Sequence, residues 1–185
     1  MELIERIFDG TIEEFKENGI KFTMDGVARR TGISKRTLYE TVPSKNLLIE
    51  MAIDRTFADV KYQQNEILNN ESISTVDKLK QLFTIVPAYA NVLDYRRMNE
   101  IRQSYPQLYK KIQKNLDNDW GPTISLLQKA MDENVVRKVN VVIIKMLLME
   151  VYERLINGDT LIQNNISYET AMKEVISIIF EGLFV

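Results

Sequence analysis

Long stretches of this 185-residue chain contain no helix-breaking residue, because only 7 glycines and 4 prolines punctuate it. A turn-rich β fold needs such residues at most connections between its strands. Apolar residues instead recur at helical spacing, beginning with Leu3, Ile7, Phe8, Ile12 and Phe15. A hydrophobic fraction of 45% is enough to build a continuous core. The sequence therefore predicts an all-α protein.

The residue types that are missing limit the chemistry that we expect. The chain has no cysteine and no histidine, so disulfides, thiolate and imidazole metal sites and a histidine general base are not expected. We accordingly predict no catalytic residue, no metal site and no cofactor. A helical enzyme that uses carboxylates remains a remote alternative, although no suitable pair of acids stands out.

Two further expectations concern location. The first residues lack the basic and apolar regions of a signal peptide. The most apolar run, residues 139–156, is interrupted by Lys145, Glu150, Glu153 and Arg154, whereas a bilayer span needs roughly 20 mostly uncharged residues. The sequence thus predicts a soluble, cytoplasmic protein with no membrane contact.

Charge is distributed unevenly along the chain. Residues 21–48 hold six basic and two acidic side chains, a local charge of +4, whereas the whole chain has a formal charge of −2. A basic segment in an otherwise acidic protein is typical of a part that binds nucleic acid.

Residues 23–45, TMDGVARRTGISKRTLYETVPSK, predict two short helices joined by a turn at Thr31-Gly32. Thr23 and Ser34 are good N-caps for these helices, and Pro43 ends the second one because it disfavours helical geometry at Val42. This arrangement is a helix-turn-helix, which presents its second helix to the major groove of DNA. An ordinary helical hairpin with solvated charges is the alternative.

The polar residues of this segment suit contacts with DNA. Lys35 and Arg36 can donate to guanine, and the Thr37 methyl group can contact a thymine methyl. Tyr39 can bind a phosphate, and Thr23 and Lys45 lie near helix N-termini, which favour anions. The predicted DNA-binding residues are Thr23, Lys35, Arg36, Thr37, Tyr39 and Lys45.

The string GISKRTLYETVPSKNLL resembles the signature of the tetracycline-repressor (TetR) family of transcriptional regulators. The match is specific over residues 1–50. Two positions depart from the family pattern. Gly26 lies inside the first motif helix, at a cost of about 1 kcal/mol relative to alanine, and Val42 replaces a usual aromatic residue.

The resemblance implies a three-helix DNA-binding head, residues 1–45, and a helical ligand-binding and dimerisation body, residues 46–185, with about nine helices in all. It also implies a homodimer joined through the last two helices, and a palindromic operator matches that symmetry. The implied function is a repressor that a small apolar or amphipathic molecule releases from DNA. A regulator without ligand control, or an activator, is the alternative.

Within the body, the sequence predicts a helix over residues 75–94 with a kink at Pro87, and a polar loop over residues 158–165. Aromatic and methionine side chains could line a ligand cavity there, although plain core packing is the alternative. They are Phe83, Tyr89, Tyr95, Met98, Tyr105, Tyr109, Trp120 and Met131. Six of these are the candidate ligand contacts: Phe83, Tyr89, Met98, Tyr105, Trp120 and Met131.

Overall fold

The computed structural model describes residues 2–85, 95–118 and 120–182, with the side chains of all these residues except 95–97, 156 and 157. The described residues form helices and contain no strand, which confirms the predicted all-α class. The helices are α1 Leu3–Asn18, α2 Met24–Thr31, α3 Lys35–Thr41, α4 Lys45–Asn69, α5 Thr75–Phe83, α6 Tyr95–Ser104, α7 Pro106–Asn118, α8 Gly121–Asp132, α9 Val141–Asn157, α10 Thr160–Gln163 and α11 Tyr168–Glu181.

The head begins with α1, which a short 3-10 turn, Gly19–Lys21, connects to α2. Thr23 and Ser34 cap α2 and α3 as predicted, since each hydroxyl accepts a hydrogen bond from the backbone three residues later. Gly32 ends α2 in the left-handed conformation, with φ of 65°. The helix-turn-helix is therefore confirmed within one residue at each boundary.

Two differences from the predicted helices lie in the body. The helix that starts at Thr75 ends at Phe83, where the Thr84 amide bonds back to the carbonyls of the last turn. Pro87 and its predicted kink lie outside the described residues. The segment 158–165 was predicted to be a loop but contains the one-turn helix α10, with Leu161 and Ile162 inside it.

The buried apolar side chains form two separate clusters. The first joins the head to the start of α4 and to α6 and α7, and it contains Phe22, Val27, Leu38, Leu48 and Met98. The second joins α5, α8, α9 and α11. Val42, one of the two departures from the family pattern, is fully buried in the first cluster. The head therefore shares its core with two helices that come more than fifty residues later in the chain.

Candidate functional site

Helix α3 has one buried side and one polar side. Leu38 is fully buried and anchors the helix to the first cluster, whereas Lys35, Arg36 and Tyr39 are exposed. Thr37 is partly buried, and its hydroxyl lies 2.8 Å from that of the capping Ser34. A helix anchored by one apolar side chain and capped at its start presents its polar side in a fixed orientation.

Both basic side chains of α3 are paired with acids of the head. The Lys35 ammonium bonds to the Asp25 carboxylate of α2, and Arg36 Nε donates to Glu40 Oε1 at 2.8 Å. These pairs are exposed, so they are weak and yield readily to a stronger anion such as a phosphate. The acids therefore orient the cations without removing them from solvent.

Thr23 and Lys45 have structural roles in addition to the predicted ones. The Thr23 hydroxyl accepts a hydrogen bond from Gly26 N at 3.0 Å. Lys45 Nζ donates to the Ile20 carbonyl at 2.5 Å and lies 4.4 Å from the centre of the Phe22 ring. Burial lowers the pKa of the Lys45 ammonium. Lys45 therefore fastens α4 to the turn between α1 and α2.

A cavity of about 100 Å³ lies between α6, α7 and α9. Met98, Ile112, Leu116 and Met149 provide apolar walls, and Tyr109 and Tyr152 add aromatic rings. Gln113, Asp117 and Glu153 complete the lining and are exposed. Among the residues whose side chains the structure describes, the lining carries two carboxylates and no basic side chain.

Tyr152 is the most unusual polar group in this cavity. Burial raises its pKa to about 12 and also raises the pKa of the neighbouring Tyr168. No hydrogen bond of either hydroxyl is seen among the described residues, although a buried phenol usually has a partner. Tyr152 therefore combines a place on the cavity lining with a strongly buried phenol.

Helix α9 leaves a row of apolar side chains uncovered. Val142, Ile143, Met146 and Leu147 are all at least half exposed, and Ile178 of α11 is 68% exposed. The opposite side of α9 is buried through Leu148. Monomeric proteins seldom expose such a continuous apolar surface, which is typical of a contact with another chain.

Neither a membrane helix nor a metal cluster is found in residues 2–85, 95–118 and 120–182. No helix there combines the length and the apolar character needed to cross a bilayer. No group of three or more potential ligands among Asp, Glu, His and Cys lies close enough to hold a metal ion.

Comparison with known proteins shows which regulators this chain resembles. The profile described as "Bacterial regulatory proteins, tetR family" matches residues 7–52, from α1 to the first turns of α4. An uncharacterised HTH-type transcriptional regulator of Bacillus subtilis, YvaF, is 22% identical over 96% of this chain and 94% of its own. The head of this chain is therefore similar to that of TetR-family regulators. This finding confirms the resemblance carried by residues 1–50.

Solved structures share the fold of this chain over both the head and the body. A TetR transcription regulator from Haloarcula marismortui has a TM-score of 0.72 and 14% identity, covering 98% of this chain and 97% of the other. FadR of Bacillus subtilis, solved with stearoyl-CoA, has a TM-score of 0.67 and 17% identity, with coverage of 95% and 96%. At these identities the likeness concerns the fold.

The candidate ligand contacts predicted from the sequence lie in different surroundings. Met98 lines the cavity, and Tyr105 packs against the first cluster nearby. Phe83 and Met131 are buried in the second cluster, and Trp120 packs against it. Tyr89 lies outside the described residues. The cavity residues that the sequence reasoning missed are Ile112, Gln113, Leu116, Asp117, Met149, Tyr152 and Glu153.

No sequence motif marked these missed residues as a site. Tyr152 and Met149 lie on α9, where the apolar run pointed to a dimer contact and not to a ligand. Their spacing of three residues places them on one face of α9, and that face could have been read from helical periodicity. The identity of the helix that packs against this face could not be predicted from periodicity.

Proposed function

We propose that this protein is a TetR-family, sequence-specific DNA-binding transcriptional regulator that reads the major groove with α3. Residues 1–45 act as the DNA-binding head, and residues 46–185 bind ligand and form the dimer. The observation that carries the proposal is the exposure of Lys35 and Arg36 on a helix that Leu38 anchors.

The proposed contacts divide by chemistry. Lys35 and Arg36 leave Asp25 and Glu40 to donate to base edges, and the Thr37 methyl group meets a thymine methyl. Tyr39, Thr23 and Lys45 bind phosphates and set the register. Lys45 can do so while it holds Ile20, because an ammonium has three donors.

We propose that two subunits associate through α9 and α11. The exposed row Val142, Ile143, Met146 and Leu147, together with Ile178, supports this interface. A two-fold axis there places two copies of α3 on one side of the duplex, so the operator is a palindrome. The protein acts where the DNA is, in the cytoplasm.

The experiment is selection of duplex DNA from a random library, followed by footprinting of the selected site. A palindromic consensus is expected, with affinity that falls by ~10³-fold or more between low and physiological salt, because phosphate contacts release counterions. The double variant Lys35→Ala, Arg36→Ala should lose specific binding and remain dimeric. Selection without any enriched sequence would contradict the proposal.

We further propose that the cavity between α6, α7 and α9 takes a small apolar or amphipathic effector that releases the repressor from DNA. Its apolar walls and the aromatic rings of Tyr109 and Tyr152 support this role. FadR, one of the similar structures, holds stearoyl-CoA. Because Asp117 and Glu153 lie on the lining here, a neutral or cationic headgroup fits this cavity better than an anionic one.

Thermal shift with phenethylammonium, phenethyl alcohol and phenylacetate tests this charge preference. The cation and the alcohol should stabilise the protein more than the anion, and Asp117→Asn with Glu153→Gln should remove the advantage of the cation. Glu66→Gln, an exposed carboxylate on α4, is the control. Preferential binding of phenylacetate would overturn the assignment.

A second candidate function, a regulator or activator without ligand control, is favoured by one observation. The cavity holds about 100 Å³, whereas pockets for drug-sized ligands typically hold roughly 300–1,000 Å³. DNA affinity that no compound in a broad screen changes, with no stabilisation in thermal shift, would support this alternative.

A further inference from the structure

The turn between α1 and α2 is held from two sides by helices outside it. The Ile20 amide donates to Glu100 Oε2 of α6 at 3.1 Å. The Ile20 carbonyl accepts from Lys45 Nζ, at the start of α4, at 2.5 Å. Both backbone polar groups of one head residue are therefore bound by charged side chains of other helices. Such charge-assisted bonds are stronger than bonds between neutral groups.

The turn approaches α6 closely because Gly19 has no side chain. Gly19 has a positive φ of 53°, which residues other than glycine rarely adopt, and a β-carbon there would lie 2.9 Å from Glu100 Oε2. Any other residue would be strained and would also crowd the carboxylate. The contact between the turn and α6 is thus built into the backbone of the head.

Helix α6 connects this contact to the rest of the molecule. Its Met98 and Ile101 are buried in the cluster that forms the core of the head. Met98 also lines the cavity, two residues before Glu100. A displacement of α6 therefore acts on the Ile20 amide directly, without passing through α4.

We propose that Glu100 is a positioning residue that fixes the angle of the head relative to the body and so sets the half-site spacing that the dimer accepts. Losing this bond leaves Lys45 as the charged group on Ile20 and frees the turn from α6. The heads then sample a wider range of angles. The effect on half-site spacing rests on the proposed function. The restraint on the head lies within a single subunit and does not depend on DNA binding.

The restraint is measured first, without DNA. Because the chain has no cysteine, Asp9→Cys and Gln128→Cys place spin labels at exposed positions on α1 and α8. Labelled protein is diluted with unlabelled protein, so that each measured pair lies within one chain. Glu100→Ala should broaden the distance distribution. Glu100→Gln, which keeps an acceptor oxygen, and the exposed control Glu66→Ala should match the parent.

Operator spacing is measured next, on DNA selected by the parent protein. Adding or removing one base pair between half-sites should weaken the parent on the order of tenfold, within the usual range for coupling between two sites, and Glu100→Ala by less than about threefold. A merely structural role for Glu100 would lower the affinity for all spacings equally. Melting temperatures confirm that each variant is folded.

The outcomes separate the two proposals. If the parent selects no DNA, the proposed function fails, and the distance distributions still decide whether Glu100 restrains the head. If Glu100→Ala keeps both the parent distribution and the parent spacing preference, the inference about Glu100 is overturned.

Discussion

Gly26 of α2 lies directly against the carboxylate of Glu14 on α1: a β-carbon at residue 26 would come within 2.3 Å of Glu14 Oε2. Glu14 is 9% exposed, and its carboxylate accepts hydrogen bonds from Arg30 Nε and Asn18 Nδ2, each at 3.1 Å. The glycine makes room for a buried acid that joins α1 to α2. Glycine at this position therefore has a packing role that outweighs its low helix propensity.

Gly26→Ala is expected to lower the free energy of unfolding by about 1–2 kcal/mol, since the crowded carboxylate must give up its partners. In a Glu14→Ala background the sign should reverse, with a gain of up to about 1 kcal/mol from helix propensity. Chemical denaturation of the four proteins in this cycle measures both values. Gly121→Ala is the matched control, because a β-carbon there meets nothing within 4 Å. Equal effects in both backgrounds would refute the explanation.

Two substitutions at Ser34 test the stability of α3 and its binding to DNA separately. The Ser34 hydroxyl accepts from Thr37 N at 3.0 Å, so Ser34→Ala should cost about 1 kcal/mol of stability. Ser34→Asp retains a capping oxygen and should keep the stability. In the proposed binding mode its negative charge lies near the phosphates, so it should weaken duplex binding strongly. Melting temperature and DNA affinity are measured on both variants. Tight binding by the aspartate variant would mean that this end of α3 is far from DNA.

Asp25 places a negative charge beside Lys35 on the surface proposed to face DNA. Asp25→Asn should raise the affinity for nonspecific duplex several-fold at low salt, because it removes a repulsion and frees the ammonium. The gain should shrink as salt rises and screens exposed charges. Fluorescence anisotropy over a salt series measures it, with Glu66→Gln as a control of equal charge change. No difference between the two variants at low salt would count against the assigned surface.

The exposed row on α9 predicts the oligomeric state. Met146 is 57% exposed, and Met146→Glu should shift the protein from dimer to monomer, because a carboxylate in an apolar interface loses its hydration. Tyr62→Glu, at a 65% exposed apolar residue on α4, should leave the dimer intact. Analytical ultracentrifugation distinguishes these outcomes. A dimer that survives Met146→Glu would place the interface elsewhere.

Tyr152 predicts how stability depends on alkaline pH. The folded protein keeps the phenol proton to about pH 12, whereas the unfolded chain releases it near the ordinary pKa of 10.0. Between these values the unfolded state loses a proton that the folded state retains, so stability falls as pH rises. In urea unfolding, the free energy of unfolding should fall less steeply from pH 9.5 to 11 for Tyr152→Phe than for the parent. Parallel curves would indicate an unshifted phenol.

The head could be predicted closely from the sequence because its signals are local. Thr23 and Ser34 cap the two motif helices from positions within the same segment, and Gly32 and Pro43 end those helices. Each signal acts over three or four residues. Hydrogen bonding within a helix and at its caps therefore fixed these boundaries without help from the rest of the chain.

The contacts that hold the head in place could not be predicted in this way. Glu100 bonds to a residue 80 positions earlier, and its neighbours in sequence give no sign of that partner. Lys45 was assigned to phosphate from its place at a helix start, whereas its bond to Ile20 depends on how α4 meets the turn. From the sequence, Gly26 was expected only to destabilise α2. The structure shows that it makes room for Glu14 of α1. Such features depend on which helices approach one another, which single-residue propensities do not encode.

The core shared by the head, α6 and α7 has a consequence for engineering. A chimera that joins residues 1–45 to the body of another regulator would separate Phe22 and Leu38 from Met98 and Ile112, which belong to the same buried cluster. The graft would carry an uncovered apolar surface into its new host. DNA specificity is therefore better transferred between such regulators by exchanging the outward side chains of α3. This exchange leaves the buried cluster between head and body of the recipient unchanged.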